Sequence, residues 1–352
     1  MAKEGIEVKD LTPIIRERCK TSGWALCVGA GTSAPAFPSW DALVQRLITR
    51  DVGPSAASLK PALVKQFSYD AIIQAAKDRY GVTEKRFVNI LTLELYAKVK
   101  RTLVRSEWQQ FTNALSCLRI GDLKPYEWKS FTELAKNYFR DTSAIPIASI
   151  ISEVIETKEA PSAILSFNAE PLLFALINAF ASARFAPSQK QVIDLVTHGI
   201  SSRRTNRIPY YFCHGLLSVP GTTRKGPKAK SPDKLVFSET NYLQLANSAF
   251  SWQSSVFIDV CSSRSVVFIG LSLSDPNMRR WLSWIYANRI QELKERGLRP
   301  VSSTSHFWIN KRPTSIDERR WIESSVAHLG VRLVWLNSWV EVEDALRSLL
   351  GK

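Results

Sequence analysis

Cysteine is sparse in this chain: five residues, at 19, 27, 117, 213 and 261, scattered and odd in number, with no Cys-x-x-Cys pair. That spacing excludes a zinc ribbon and a redox dithiol. Cys27 and Cys213 sit inside apolar runs and read as small core residues. No run of about 18 apolar residues occurs, so no membrane span is expected. Met1-Ala2-Lys3-Glu4-Gly5-Ile6-Glu7 lacks a charged-then-apolar leader, so the expected location is the cytoplasm. A Gly-Lys-Ser/Thr phosphate loop is missing as well, which argues against a nucleoside-triphosphate enzyme.

What is present begins with 352 residues, 45% of them hydrophobic, enough for one large core or two modest ones. A net charge of +15 invites a nucleic-acid reading. Its densest part, Thr222 to Pro232, reads as a flexible basic loop, and elsewhere Lys and Arg are spread along helices as solvated faces are. A basic crevice suits a pyrophosphate equally well, so direct nucleic-acid binding is kept as the less favoured alternative.

Patterning divides the chain. Ile14–Cys19 reads as a helix, Trp24–Val28 as a buried strand, and Trp40–Ile48 as a helix with Ser39 as its N-cap. From 55 to 159 apolar positions recur at helical spacing, as in Ala71–Ala76, Phe87–Leu91 and Trp108–Phe111, with aromatic residues as the expected core. Strands are expected at Ala163–Phe167, Tyr210–Cys213, Lys234–Phe237, Val266–Ile269, His306–Ile309 and Arg332–Trp335. Between them helices are expected at Glu170–Ala183, Glu239–Ser262, Asp275–Glu295 and Ser315–Leu329, with another from Trp339. Short apolar strands separated by helices imply an α/β fold: a Rossmann-like parallel sheet with helices on both faces. The expected organisation is one such domain over 1–54 and 160–352, interrupted by a helical insertion over 55–159.

Three of these strands deliver chemistry-bearing residues at their carboxyl ends, where ligands bind in open α/β sheets. Gly29-Ala30-Gly31-Thr32-Ser33-Ala34 fits G-x-G-x-x-G/A directly after a strand. Its glycines would let the backbone approach a pyrophosphate, and the amides would donate to it. The alternative is a tight strand-to-helix turn. A hydride-transfer dehydrogenase would add an acid about 20 residues on, at the end of the second strand. Asp51 has nearly that spacing but ends a helix, which weakens that reading. Asn168 and His214 follow the next two strands. Asn168 is either a reacting amide or the N-cap of the helix after it; His214 is either a proton acceptor or a structural histidine beside Gly215. His198-Gly199 has the same form but follows an expected helical stretch, Gln191–Thr197, so His214 is preferred. In Phe268 to Asn277, Gly270 ends a strand and Asp275 either caps the next helix or joins a second ribose- or phosphate-binding loop with Ser272.

Five blocks in this order resemble the sirtuin-like NAD-consuming family, particularly its prokaryotic antiphage-defence branch. They are Gly29–Ser33 with Phe37-Pro38-Ser39-Trp40; Ser166–Glu170; His214-Gly215; Leu235–Tyr242; and Ile269–Asn277. The resemblance implies that Gly29, Ala30, Gly31, Thr32 and Ser33 hold the NAD diphosphate. It makes Asn168 and His214 the catalytic pair and puts Gly270, Ser272 and Asp275 at the adenosine half. Asn168-Ala169-Glu170 departs from the usual Asn-Tyr-Asp, and Glu170 keeps a carboxylate near the nicotinamide pocket, one methylene longer. The four-cysteine zinc module of protein-deacetylating members is missing, which argues against acyl-lysine as substrate and for no metal. The implied activity is NAD glycohydrolysis, giving ADP-ribose and nicotinamide and depleting NAD in abortive antiphage defence. Such an enzyme would be a homo-oligomer or be restrained by a partner such as a HerA-type ATPase or an Argonaute-like protein. A non-catalytic module that senses NAD or ADP-ribose is the alternative.

Overall fold

The computed structural model describes residues 5–10, 16–17, 22–185, 190–199, 206–220, 235–247, 251–298 and 306–352. Most of the helix expected at Ile14–Cys19 and the basic segment Thr222–Pro232 lie outside the described residues.

Among the described residues a single parallel sheet of eight strands organises the chain. In chain order these are β1 (Ile6–Glu7), β2 (Trp24–Val28), β3 (Ile164–Ser166), β4 (Ile193–Val196), β5 (Ile208–Phe212), β6 (Ser265–Ile269), β7 (His306–Lys311) and β8 (Val331–Leu336). Their spatial order is β1-β8-β7-β6-β2-β3-β5-β4. From β2 the chain runs to β3, then to the edge strand β4 and back to β5 between them, and crosses β2 to start the other half with β6. That reversal is the switch point at which open α/β sheets bind ligands, and the fold is Rossmann-like.

Alternation explains why both faces are covered. Leu26, Val28, Ile164, Phe212, Val267 and Ile269 point into one core, and Cys27, Leu165, Cys213, Val266 and Phe268 into the other. The strands therefore read as continuous apolar runs rather than half-polar ones. The first core is roofed by α1 (Trp40–Val52), α2 (Ala56–Gln66), α3 (Tyr69–Tyr80), α4 (Glu84–Thr102), α5 (Arg105–Ser116), α6 (Pro125–Tyr138), α7 (Ala144–Val154) and α8 (Leu172–Arg184). The second lies under α9 (Glu239–Asn247), α10 (Trp252–Ser263), α11 (Pro276–Glu295) and α12 (Ile316–Ala327), while the closing helix α13 (Val342–Leu350) returns to the first face.

Residues 56–154 are helical throughout their elements, and their aromatic side chains are core. Phe111 lies 5.3 Å from Phe139 and 6.2 Å from Phe131, and Phe37, just beyond the glycine turn, stands edge-on to Tyr96 at 5.3 Å. These helices thereby share one core with the sheet and brace the segment carrying the turn. Ser39 caps α1 by accepting from the Ala42 N–H at 3.3 Å.

Three expectations are corrected. Gln191–Thr197 contains strand β4, not a helix, because Val192-Ile193-Asp194-Leu195-Val196 is too short for periodicity to separate the two. His198 therefore also follows a strand, and what separates it from His214 is place: β4 is an edge strand of the sheet. The long helix expected at Glu239–Ser262 is two, α9 and α10. Leu235–Phe237 joins no ladder; the Val236 N–H instead donates to the His214 carbonyl at 3.0 Å.

Candidate active site

Register lines up the ends of four adjacent strands. Ile269 on β6 pairs with Val28 on β2, Val28 with Ser166 on β3, and Ser166 with Phe212 on β5. One residue past this row stand Gly270 and Gly29, and two residues past it stand Asn168 and His214. The sheet thus brings every sequence-predicted site residue to one carboxyl edge.

The glycine turn is tightly folded onto the β6 loop. Gly31 N–H donates to Gly270 O at 2.9 Å, and a Cβ on Gly31 would lie 2.9 Å from the Gly270 Cα. A Cβ on Gly29 would come within 2.6 Å of the Gly270 carbonyl oxygen. Gly270 itself has φ +68°, which favours glycine. The first job of these glycines is therefore close approach of two loops. The N–H groups of Gly29, Gly31, Thr32 and Ser33 all have acceptors within the chain. In this conformation the turn's amides serve the fold.

Beside the turn, Asn168 and Glu170 form a buried polar knot. Asn168 Nδ2 donates to Glu170 Oε1 at 3.1 Å and to Thr32 Oγ1 at 3.2 Å. Ser33 Oγ donates to the same Glu170 oxygen at 2.5 Å, and Leu172 N–H to Oε2 at 2.6 Å. Helix α8 begins at Leu172, so Glu170 takes its first free amide and Asn168 is not its cap. Burial pushes the Glu170 carboxyl up to about 7, against the pull of the Ser33, Leu172 and Asn168 donors. Asn168 Oδ1 is buried without a hydrogen-bond partner. An unmade bond of this kind costs about 1–3 kcal/mol, so its presence asks for a ligand or water.

Ser33, Asn168 and Glu170 line a cavity with about 390 Å³ of empty space, its open mouth included. Apolar walls come from Ala30, Phe37 and Trp40, from Leu95 on α4, and from Phe167 and Phe237; the Trp40 and Phe237 rings lie 5.1 Å apart. Phe37 and Trp40 belong to the blocks that carry the family resemblance, and the structure makes them wall residues. Leu95 is one apolar position of α4 among several, with no local signal to single it out.

His214 lies buried behind Phe167, ring centroids 4.8 Å apart, with Tyr242 edge-on at 5.4 Å. Its Nε2 is 3.5 Å from Asp275 Oδ2, and neither ring nitrogen has a hydrogen-bond partner. Asp275 Oδ1 caps α11 through the Asn277 and Met278 N–H groups at 2.8 and 3.1 Å. Ser272 is exposed and bonds to Ser274 Oγ at 2.6 Å. Among the described residues no group of three or more His, Cys, Asp or Glu is placed to hold a metal ion. Nor is any helix there long and apolar enough to cross a membrane.

A doubly covered parallel sheet with a glycine turn, an amide and an imidazole at its switch point defines a Rossmann-like protein. Residues 176–329 match a family model described as SIR2-like domain. No curated protein matches it. The matched residues hold His214, Gly270, Ser272 and Asp275, while Gly29–Ser33, Asn168 and Glu170 precede them. A SIR2-like domain implies NAD binding and is consistent with NAD-dependent enzyme activity.

Proposed function

We propose that the protein is an NAD glycohydrolase: NAD and water give ADP-ribose, nicotinamide and a proton. The observation that carries this reading is the partnerless, buried Asn168 Oδ1 on the wall of a cavity beside the glycine turn and Glu170.

The lining of that cavity suits the nicotinamide end of the substrate in kind. Planar apolar walls suit a pyridine ring and exclude bulk water. Cleavage breaks the ribose C1′–nitrogen bond; its electron pair leaves with nicotinamide and neutralises the ring, while C1′ becomes oxocarbenium-like. Glu170, when ionised, supplies negative charge near that developing cation. Glu170 and Thr32 hold the NH₂ end of Asn168, which leaves Oδ1 to accept a hydrogen bond from the attacking water or a ribose hydroxyl. His214 accepts the proton released as water bonds to C1′.

An enzyme of this kind would deplete NAD during phage infection and abort the infected cell, acting in the cytoplasm. Uncontrolled hydrolysis would be lethal, so self-assembly or a partner, of the HerA-type ATPase or Argonaute-like kind, would release the activity. Purified protein, alone and with its activating partner, should release nicotinamide from NAD. Asn168→Ala and His214→Ala should each abolish release while remaining folded. Full activity in either variant would overturn the catalytic assignment, and NAD binding without turnover in the assembled complex would favour a sensing module.

A further inference from the structure

We propose that Asp275 is a positioning residue for His214: its carboxylate keeps the imidazole proton on Nε2 and leaves Nδ1 as the ring's proton acceptor. Its catalytic meaning rests on the NADase reading above; its structural content does not.

The two partners begin far apart. His214 follows β5 and Asp275 follows β6, and β2 and β3 lie between those strands. At about 4.8 Å per strand that is a gap of roughly 14 Å, which the segment after Gly270 must close along the carboxyl edge. It does so with two left-handed residues, Gly270 at φ +68° and Leu273 at φ +50°. A non-glycine residue there is strained and persists only where its surroundings hold it. Leu273 is held: its side chain is buried, and Arg279 Nη1 donates to its carbonyl at 3.1 Å.

Delivered this way, the Asp275 carboxylate is divided between two tasks. Oδ1 takes the two amides at the start of α11, and Oδ2 lies 3.5 Å from His214 Nε2. Burial opposes ionisation of Asp275, but His214 and the two amides outweigh it and hold the carboxyl below its usual range. A carboxylate can only accept, so the imidazole nitrogen facing it carries a hydrogen, and in the neutral ring the other nitrogen carries the lone pair. Nδ1 is buried without a partner, as a proton acceptor awaiting water or a hydroxyl would be. At 3.5 Å the pair is looser than a formed hydrogen bond, as catalytic contacts often are without substrate.

Other titratable groups around the ring do not compete. Burial pushes the Tyr242 hydroxyl on α9 well up, and Asp275 and Asp70 on α3 add to that push, so it stays neutral. Burial likewise pushes the neighbouring Cys213 thiol up to about 12. Asp275 is thus the charge that decides which nitrogen is protonated.

Asp275→Asn separates this role from capping, because asparagine caps a helix about as well as aspartate. With Asn Oδ1 on the α11 amides, its NH₂ would face Nε2 and reverse the preference. The chain has four histidines, so a nitrogen-resolved NMR spectrum of ¹⁵N-histidine protein is tractable, with His214→Gln assigning the signal. The neutral form of His214 should be the Nε2–H tautomer in wild type, and Asp275→Asn should shift the neutral population at least tenfold towards Nδ1–H. In the turnover assay Asp275→Asn should lower kcat a hundredfold or more and move KM for NAD less than threefold. An unchanged tautomer overturns the proposal even where wild type cleaves NAD. So does a raised KM at unchanged kcat, which would mean that Asp275 touches substrate. A protein that binds NAD without cleaving it would sink the NADase reading alone, and the spectrum would still decide the pairing.

Discussion

Glu170→Gln isolates the buried carboxyl at the centre of the site. In the folded chain this group titrates at about 7 rather than 4.5, because burial outweighs its three donors. Between those pH values the native state holds a proton that the unfolded state has released. Stability from this group is therefore fully present below about pH 4.5 and is lost as pH rises through about 7. At about 1.4 kcal/mol per pH unit, the whole loss is about 3 kcal/mol. Glutamine has the same shape and cannot titrate. Urea unfolding of both proteins at pH 5, 6, 7 and 8 removes contributions from every other group by subtraction. The stability of wild type relative to Glu170→Gln should fall by about 2–3 kcal/mol across that series, most steeply between pH 5 and 7. Asp275 has the opposite sign, its contribution being lost as pH falls, and it cancels because both proteins carry it. A difference that stays flat across the series would refute the argument that burial governs this carboxyl.

Gly31→Ala places a methyl 2.9 Å from the Gly270 backbone, and overpacking of that kind costs about 1–3 kcal/mol, readable as a lower Tm. The same change at Gly53, whose added Cβ would meet nothing within 4 Å, strains only the local φ of +63° and should leave the candidate site intact, read as unchanged titration with NAD. Ser39→Ala removes the α1 cap and should cost about 1 kcal/mol of unfolding free energy, with no change in the pH dependence of stability.

Much of the fold was legible because both faces of its sheet are covered. Trp24–Val28 is apolar at every position, and such a run bounded by a glycine turn admits few readings other than a central strand. His198 shows where that reasoning ends. Ile193–Val196 sits at the sheet's edge, with Asp194 and Leu195 only half-buried, and its short apolar run carried no period that separates strand from helix. The candidate site was legible as separate residues, each at the end of a strand. Its wiring was not. That Glu170 ties Asn168 to Ser33 depends on contacts across about 135 positions of sequence, as does the meeting of Leu95 with Phe237 around the cavity. Asp275 illustrates the same limit: capping explains one of its oxygens from local sequence, and only the path of the loop over β2 and β3 explains the other.

In the proposed reaction Asn168 and its neighbours break the bond between nicotinamide and ribose. Its most direct test is nicotinamide release from NAD, followed by chromatography, for wild type and Asn168→Ala in the fully assembled complex. Equimolar nicotinamide and ADP-ribose from wild type, and none above background from the variant, is the predicted result. Equal release from both proteins, or none from wild type with NAD bound, would contradict it.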